Sequence, residues 1–183
     1  MRLIETAIKG LLIIEPKIFN DGRGYFYESY NKSKFAEAGI GVDFVQDNQS
    51  FSHKGAVRGL HAQANPFAQS KLVRVIRGSV LDIAVDIRKN SPTYGQHVAA
   101  ELNEDNKLQL WIPAGFLHGF ATLEDNTIFT YKVDNYYDKA SEIGVLWNDP
   151  DLGIDWGMAQ KDVLLSPKDE LLPAFKSFAS PFV

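Results

Sequence analysis

Gly55-Ala-Val-Arg58-Gly59-Leu60-His61-Ala62-Gln63, then Lys71-Leu-Val-Arg74-Val-Ile-Arg77-Gly78, then Pro113-Ala-Gly115-Phe116-Leu117-His118-Gly119 are the stretches that decide the fold of this chain. Each histidine block holds one imidazole among glycines and apolar residues, and Arg58 and Lys71 flank the first of them. Glycines at this density mark turns and bulges between short strands. Val57 to Leu81 therefore reads as two or three strands.

The segments on either side carry the same signal. Leu11 to Ile14 is a short apolar run between Gly10 and Pro16 and reads as a buried strand. Asp21-Gly22-Arg23-Gly24 is a tight turn that leads into Tyr25-Phe26-Tyr27-Glu28. From the residues alone, Arg23 and Glu28 are either ligand-facing or a charge pair at a solvated hairpin tip, with the second favoured. Asn31 to Ala38 followed by Gly39 reads as a short helix with a glycine stop. Phe44 to Ser50 is a strand running into the amides Gln46, Asn48 and Gln49, which suit turn backbone or ligand hydroxyls. Val80 to Arg88, Gln109 to Pro113 and Thr127 to Val133 are further strands. Asp82 and Asp86 share a face of the first of these and are expected to pair with arginines. Tyr136, Tyr137 and Glu142 follow the last strand, and Ser166 is placed to cap a short final helix. Many short strands with little helix favour a sandwich or barrel.

The 183 residues fit one domain, expected to span 1–183. Apolar residues are 45% of the chain and aromatics 12%, enough for a sizeable core. A net charge of −4 argues against nucleic acid, which needs a basic stripe. Without cysteine there is no disulfide framework and no thiolate zinc site, a composition that suits a reducing cytoplasm. Glu5 and Lys9 interrupt the N-terminal apolar run, so neither a signal peptide nor a membrane span is expected.

The two histidine blocks resemble the paired motifs of a cupin, an all-β, double-stranded β-helix or jelly roll, here with a few short helices. In metal-binding members the first block carries His-x-His and then a Glu. This chain has Gln63 at the second histidine and Lys71 in the interval where the Glu belongs. Two imidazoles and a cation do not suit a divalent metal, so neither metal nor cofactor is expected. His61 is then free to act as a base, and Lys71 as a fixed cation. That combination suits proton abstraction beside a carbonyl, with the cation stabilising the enolate oxygen. Inversion of the carbon needs an acid on the opposite face. Tyr131 is the candidate, the alternative being an aromatic that merely lines the barrel.

Nearly end to end, the chain resembles the dTDP-4-dehydrorhamnose 3,5-epimerases of deoxysugar biosynthesis. The resemblance rests on Phe19-x-Asp21-x-Arg23-Gly24-x-Phe26-x-Glu28, Gln46-Asp47-Asn48-x-Ser50 and Gly55-x-x-Arg58-Gly59-Leu60-His61-x-Gln63. It extends through Lys71-Leu-Val-Arg74-Val with Gly78, Asp82 and Asp86, then Pro113-x-Gly115-Phe116-x-His118-Gly119-Phe120, Tyr131-Lys132, Trp147-Asn-Asp-Pro150 and Leu165-Ser-x-Lys168-Asp169. It implies a metal-free homodimer with exchanged N-terminal strands. The implied substrate is dTDP-4-dehydro-6-deoxy-D-glucose, epimerised at C3 and C5 to dTDP-4-dehydro-L-rhamnose. By matched position His61 would be the base, Asp169 its orienting carboxylate, Tyr131 the far-face acid and Lys71 the group on the C4 oxygen. Arg23 and Arg58 would take the diphosphate, and Tyr137 would stack on thymine. Phe26, Glu28, Gln46, Asp47, Asn48, His118, Glu142 and Lys168 would complete the substrate site, with Arg23 and Glu28 reaching in from the partner chain.

Ala62, Asn65-Pro66 and Leu117 depart from the family pattern and are expected to reshape the sugar pocket. The competing readings are an epimerase acting at C5 or C3 alone, a metal-dependent cupin oxygenase or isomerase, and a non-catalytic sugar-nucleotide-binding jelly roll.

Overall fold

A computed structural model describes residues 1–183. Thirteen strands and one α-helix follow each other along the chain. The N-terminal part holds β1 (Arg2–Glu5), β2 (Leu12–Glu15), β3 (Phe19–Asp21), β4 (Gly24–Phe26), α1 (Lys32–Glu37) and β5 (Gln46–Ser52). Next come β6 (Val57–Gln63), β7 (Lys71–Arg77), β8 (Ser79–Asp86), β9 (His97–Asn103) and β10 (Gln109–Ile112). β11 (Phe116–Thr122), β12 (Thr127–Val133) and β13 (Glu142–Gly144) complete the set. A six-stranded sheet runs β1-β2-β10-β7-β12-β5, a five-stranded sheet runs β13-β6-β11-β8-β9, and β3-β4 form a separate hairpin. This is the all-β jelly roll that the histidine blocks implied.

Side-chain alternation explains how the two sheets close on each other. Along β12, Phe129 and Val133 are buried and Tyr131 packs inward, while Thr130 and Lys132 face away. Phe129, Val73, Val75, Leu110 and Ile112 of the larger sheet meet Val80, Ala84, Leu102, Phe116 and Phe120 of the smaller one in the central core. The outer face of the smaller sheet is buried as well. Ile83, Val85, Leu117 and Ala121 pack under a C-terminal tail that contributes Trp156, Leu165, Phe175, Phe178 and Phe182. Because both faces of β8 are covered, it reads as a nearly continuous apolar run, broken on the interior side by Asp82 and Asp86. A third cluster joins Phe35 of α1 and Ile40 to Ile14, Leu72 and Trp111 on the outer face of the larger sheet.

The helix forms where the sequence places it, with the Asn31 side chain accepting from the Lys34 N–H and Gly39 ending it at φ 86°. Ser166 keeps its capping contact, accepting from the Asp169 N–H at 3.2 Å, but the expected final helix is only one 3₁₀ turn over Asp169–Leu171. β1, β9 and β13 have no counterpart in the sequence reading. β9 is a sheet edge of mixed alanine and polar residues, and β13 is three residues long. Both are strands because a neighbour offers a ladder, and neither carries a strong local signal.

Candidate active site

Between the two sheets, at the end where the C-terminal tail crosses, lies a cleft of ≈ 630 Å³. His61 on β6 and His118 on β11 are direct register partners, so both imidazoles project to its side of the five-stranded sheet. Tyr131 reaches the cleft from β12 of the six-stranded sheet and so stands on the opposing wall. Lys71, the first residue of β7, also lines it.

A bulge decides who joins His61. In the β6–β11 ladder His118 pairs with His61 but Phe120 pairs with Arg58, so β6 spends three residues where β11 spends two. Strict alternation would send residues 58 and 61 to opposite faces; the extra residue puts both on the cleft. Gly59 makes this possible. Its φ is 131°, and a Cβ there would lie 2.5 Å from the Gly119 Cα. Arg58 is then tethered to β5, its Nε donating to Ser52 Oγ at 3.2 Å and its Nη2 to the Phe51 carbonyl at 3.3 Å.

His61 Nε2 lies 2.6 Å from Asp169 Oδ1, a contact that spans 108 residues of chain. Asp169 is buried, which opposes its charge. The His61 hydrogen bond and charge, Ser166 and the Gly59 backbone outweigh that burial and hold the carboxyl below its ordinary range. His118 makes a parallel contact: its Nε2 is 3.0 Å from both oxygens of Asp82. Burial pulls this imidazole below its ordinary range, with Lys71 and His61 adding to the effect, and Asp82 only partly restores it. A neutral His118 donating its Nε2–H to the carboxylate fits that environment. Burial also brings Lys71 down to about 8, against the attraction of Asp82 and Glu142. Burial raises Tyr131, more than the Arg58 charge lowers it, so the phenol keeps its proton at rest.

At the rim Lys168 pairs with Glu142, and the Tyr137 hydroxyl donates to the same carboxylate at 2.9 Å. Gln46 donates to Asn48 Oδ1 at 2.8 Å and accepts from the Tyr137 N–H at 3.4 Å. Tyr137 itself is 56% exposed. Gln63 is held by backbone groups. Its Nε2 donates to the Phe67 and Tyr136 carbonyls, and its Oε1 accepts from the Asp138 N–H. No group of three or more His, Cys, Asp or Glu side chains is arranged to hold a metal ion.

Several expectations need correction. Asp47 does not reach the cleft of its own chain. It alternates to the other face of β5, where Lys132 holds it at 2.8 Å beside a smaller cavity lined by Arg74 and Gln109. Arg23, Phe26 and Glu28 lie outside the cleft of their own chain, where the expectation that Arg23 and Glu28 reach in from a partner also leaves them. Arg23 pairs with Asp21 at 2.6 Å and Glu28 with Lys34, so the two do not form a charge pair with each other. Asp86 does pair with Arg88, at 2.7 Å, but Asp82 has a histidine as partner. Ala62 and Leu117 do not shape a sugar pocket, since both face the outer core under the C-terminal tail. Asp82 belongs to the motif but has no role assigned by it, and it joins the site as the partner of His118. Its signal was present: a carboxylate between Val80 and Ala84 on the interior face of β8 is an ionisable group inside a core. Ser50 also belongs to the cleft wall, with a buried hydroxyl that has no partner within the chain.

A jelly roll whose mouth holds two His–Asp pairs, a phenol on the facing wall and a desolvated lysine defines a class: proteins equipped for acid/base chemistry on a polar ligand inside a β-barrel. The family follows from comparison. The model of the family described as dTDP-4-dehydrorhamnose 3,5-epimerase matches residues 5–177, and the chain belongs to that family. It is 53% identical over 170 residues to the dTDP-4-dehydrorhamnose 3,5-epimerase of Shigella flexneri, covering 92% of this chain and 93% of the relative. The crystal structure of the Elizabethkingia anophelis dTDP-4-dehydrorhamnose 3,5-epimerase superposes with a TM-score of 0.92 at 50% identity, over 96% of this chain and 97% of that one. The Legionella pneumophila dTDP-6-deoxy-D-glucose-3,5-epimerase, solved in complex with dTDP-4-keto-L-rhamnose, superposes at 0.93 with 47% identity, over 97% and 94%.

Proposed function

We propose that this protein epimerises dTDP-4-dehydro-6-deoxy-D-glucose at C3 and C5, giving dTDP-4-dehydro-L-rhamnose. The observation that carries the reading is the opposition of His61 and Tyr131 on the two sheets that wall one cleft. Both reacting carbons flank the C4 ketone, so one chemistry serves both. His61, oriented through Nε2 by Asp169, takes the proton from carbon at its other ring nitrogen. The C–H electron pair passes into the enolate, whose oxygen the Lys71 ammonium stabilises. The Tyr131 phenol gives its proton to the opposite face of the carbon and is re-protonated from solvent, and His61 returns its own proton to solvent.

The remaining side chains suit a nucleotide diphosphate. Arg58, fixed by β5, meets the diphosphate, and Lys168 supports it from the rim. Gln46, Asn48, His118 and Glu142 line or border the sugar-nucleotide path, and exposed Tyr137 offers a ring to thymine. The β3–β4 hairpin leaves Phe19, Tyr25 and Phe26 each more than half exposed, an apolar surface that suits exchange into a second copy. In such a homodimer Arg23, Phe26 and Glu28 complete the partner's site. The whole chain acts as one epimerase domain, and its composition suits the cytoplasm. No helix is long and apolar enough to cross a membrane.

The test is turnover of dTDP-4-keto-6-deoxyglucose in deuterium oxide, read by NMR. Deuterium is expected at both C3 and C5, with the L-rhamno configuration in the product. Label at one carbon alone refutes the double epimerisation, and no label at either refutes catalysis.

A further inference from the structure

The β3–β4 hairpin is hydrogen-bonded to neither of the two main sheets. Its direction is therefore set where the chain enters and leaves it. On the entering side Pro16 to Ile18 link it to β2. On the leaving side two side chains of the larger sheet take hold of the chain. Arg74 Nη1 donates to the Tyr27 hydroxyl at 2.9 Å, and Gln109 Nε2 donates to the Ser29 carbonyl at 2.9 Å. Arg74 on β7 and Gln109 on β10 are direct register partners. They stand side by side on the outer face of the sheet, where both line the smaller cavity with Ser29. Gln109 is only 1% exposed, so packing fixes its amide. The Arg74 contact carries a charge, which makes it stronger than a neutral hydrogen bond. The two contacts fall two residues apart along the chain and grip one side of it. Glu28, the residue between them, is held instead by Asn31 at 3.1 Å and by Lys34 of α1. The grip continues into the hairpin through Tyr25 of β4. Its ring lies 6.1 Å from that of Tyr27, and the Lys107 ammonium stands 4.2 Å from its centroid.

We propose that Arg74 and Gln109 are positioning residues that clamp the root of the β3–β4 hairpin, and that by aiming it they place Arg23 and Phe26 in the cleft of a second copy of this chain. The inference rests on the homodimer reading, in which that hairpin completes the partner's site. Neither Arg74 nor Gln109 touches substrate, and their effect is felt in the other chain's cleft. An unclamped hairpin supplies Arg23 for only a fraction of the time, and apparent affinity falls by that fraction. His61, Tyr131 and Lys71 of the receiving chain are unaltered, so bound substrate reacts as before. Such a loss raises KM and leaves kcat in place.

The experiment uses heterodimers, isolated by two different affinity tags after co-expression of full-length chains. The Arg74→Ala homodimer should show a KM for dTDP-4-keto-6-deoxyglucose raised about ten-fold, with kcat within about two-fold of wild type. Pairing that chain with a His61→Asn chain leaves one live cleft, and that cleft receives a clamped hairpin. Its KM should return to the wild-type value. Pairing wild type with a chain that carries both Arg74→Ala and His61→Asn puts the loosened hairpin in the live cleft, and KM should rise again. An unchanged KM in the Arg74→Ala homodimer overturns the proposal, as does a raised KM that the His61→Asn partner does not restore. Arg23→Ala, run through the same pairing, checks the homodimer reading by itself. If its KM defect is not restored by the His61→Asn partner, exchange of the hairpin is wrong; if it is restored and that of Arg74→Ala is not, only the clamp is wrong. Tyr27→Phe removes the accepting hydroxyl alone and serves if Arg74→Ala does not fold, and a wild-type KM in that variant overturns the proposal.

Discussion

His61 and His118 sit opposite each other on adjacent strands, and each gives its Nε2 to an aspartate. Their surroundings differ in two respects. The His61 side chain is 26% exposed and that of His118 is 6%. The His61 carboxylate arrives from the C-terminal tail and is held by Ser166 and the Gly59 backbone, whereas Asp82 stands fully buried within a strand. The first imidazole can therefore accept a proton and return it to water. A proton on the second would add a charge beside Lys71 in a site that burial already makes unfavourable. The lesson is that a His–Asp pair has no fixed job. Solvent access is what suits the first pair, and not the second, to the proposed proton exchange.

Three substitutions test that contrast. His61→Asn should have the largest effect, a loss of about 10²–10⁴-fold in exchange at both C3 and C5, with dTDP-sugar binding nearly intact by calorimetry. Exchange retained at either carbon would remove His61 from the role of base. Tyr131→Phe should come next. Inversion should fall by about 10²-fold or more, while loss of substrate hydrogen to solvent, followed by mass spectrometry, falls less. An equal decline in both would mean that Tyr131 is not solely the far-face acid. His118→Asn should act mainly on stability, lowering it by about 1–3 kcal/mol in urea unfolding, because it leaves buried Asp82 without its donor. A rate loss as deep as that of His61→Asn, with unchanged stability, would abolish the contrast between the pairs.

Much of the architecture was legible along the chain. β12 runs over Thr127–Val133 as its β-branched and aromatic composition indicates, and α1 lies inside the span bounded by Asn31 and Gly39. β9 was hidden because His97 to Asn103 lacks the apolar alternation that a half-buried strand shows. The site was legible in part. The histidines, Lys71 and Tyr131 come to one cleft as their motifs imply, and Asp169 meets His61. Asp47 was misplaced because a motif names neighbours in sequence, whereas a strand sends neighbours to opposite faces. Ala62 was misjudged for the same reason: adjacent to His61 in sequence, it lies on the other side of the sheet. Asp82 was undervalued because its partner, His118, is 36 residues away.

What the sequence by itself determined is the strand periodicity and the set of reactive groups: two lone imidazoles, a lysine where a metal ligand would stand, and a phenol on an inward position. Those arise from backbone geometry over a few residues at a time. Only the tertiary structure decided that Arg58 and His61 share a face and that Asp82 meets the second, buried imidazole; it also brings Asp169 to His61, as the resemblance implies. The reason is physical. A bulge and a contact across 108 residues depend on what packs against the strand, and no local preference of the chain specifies that.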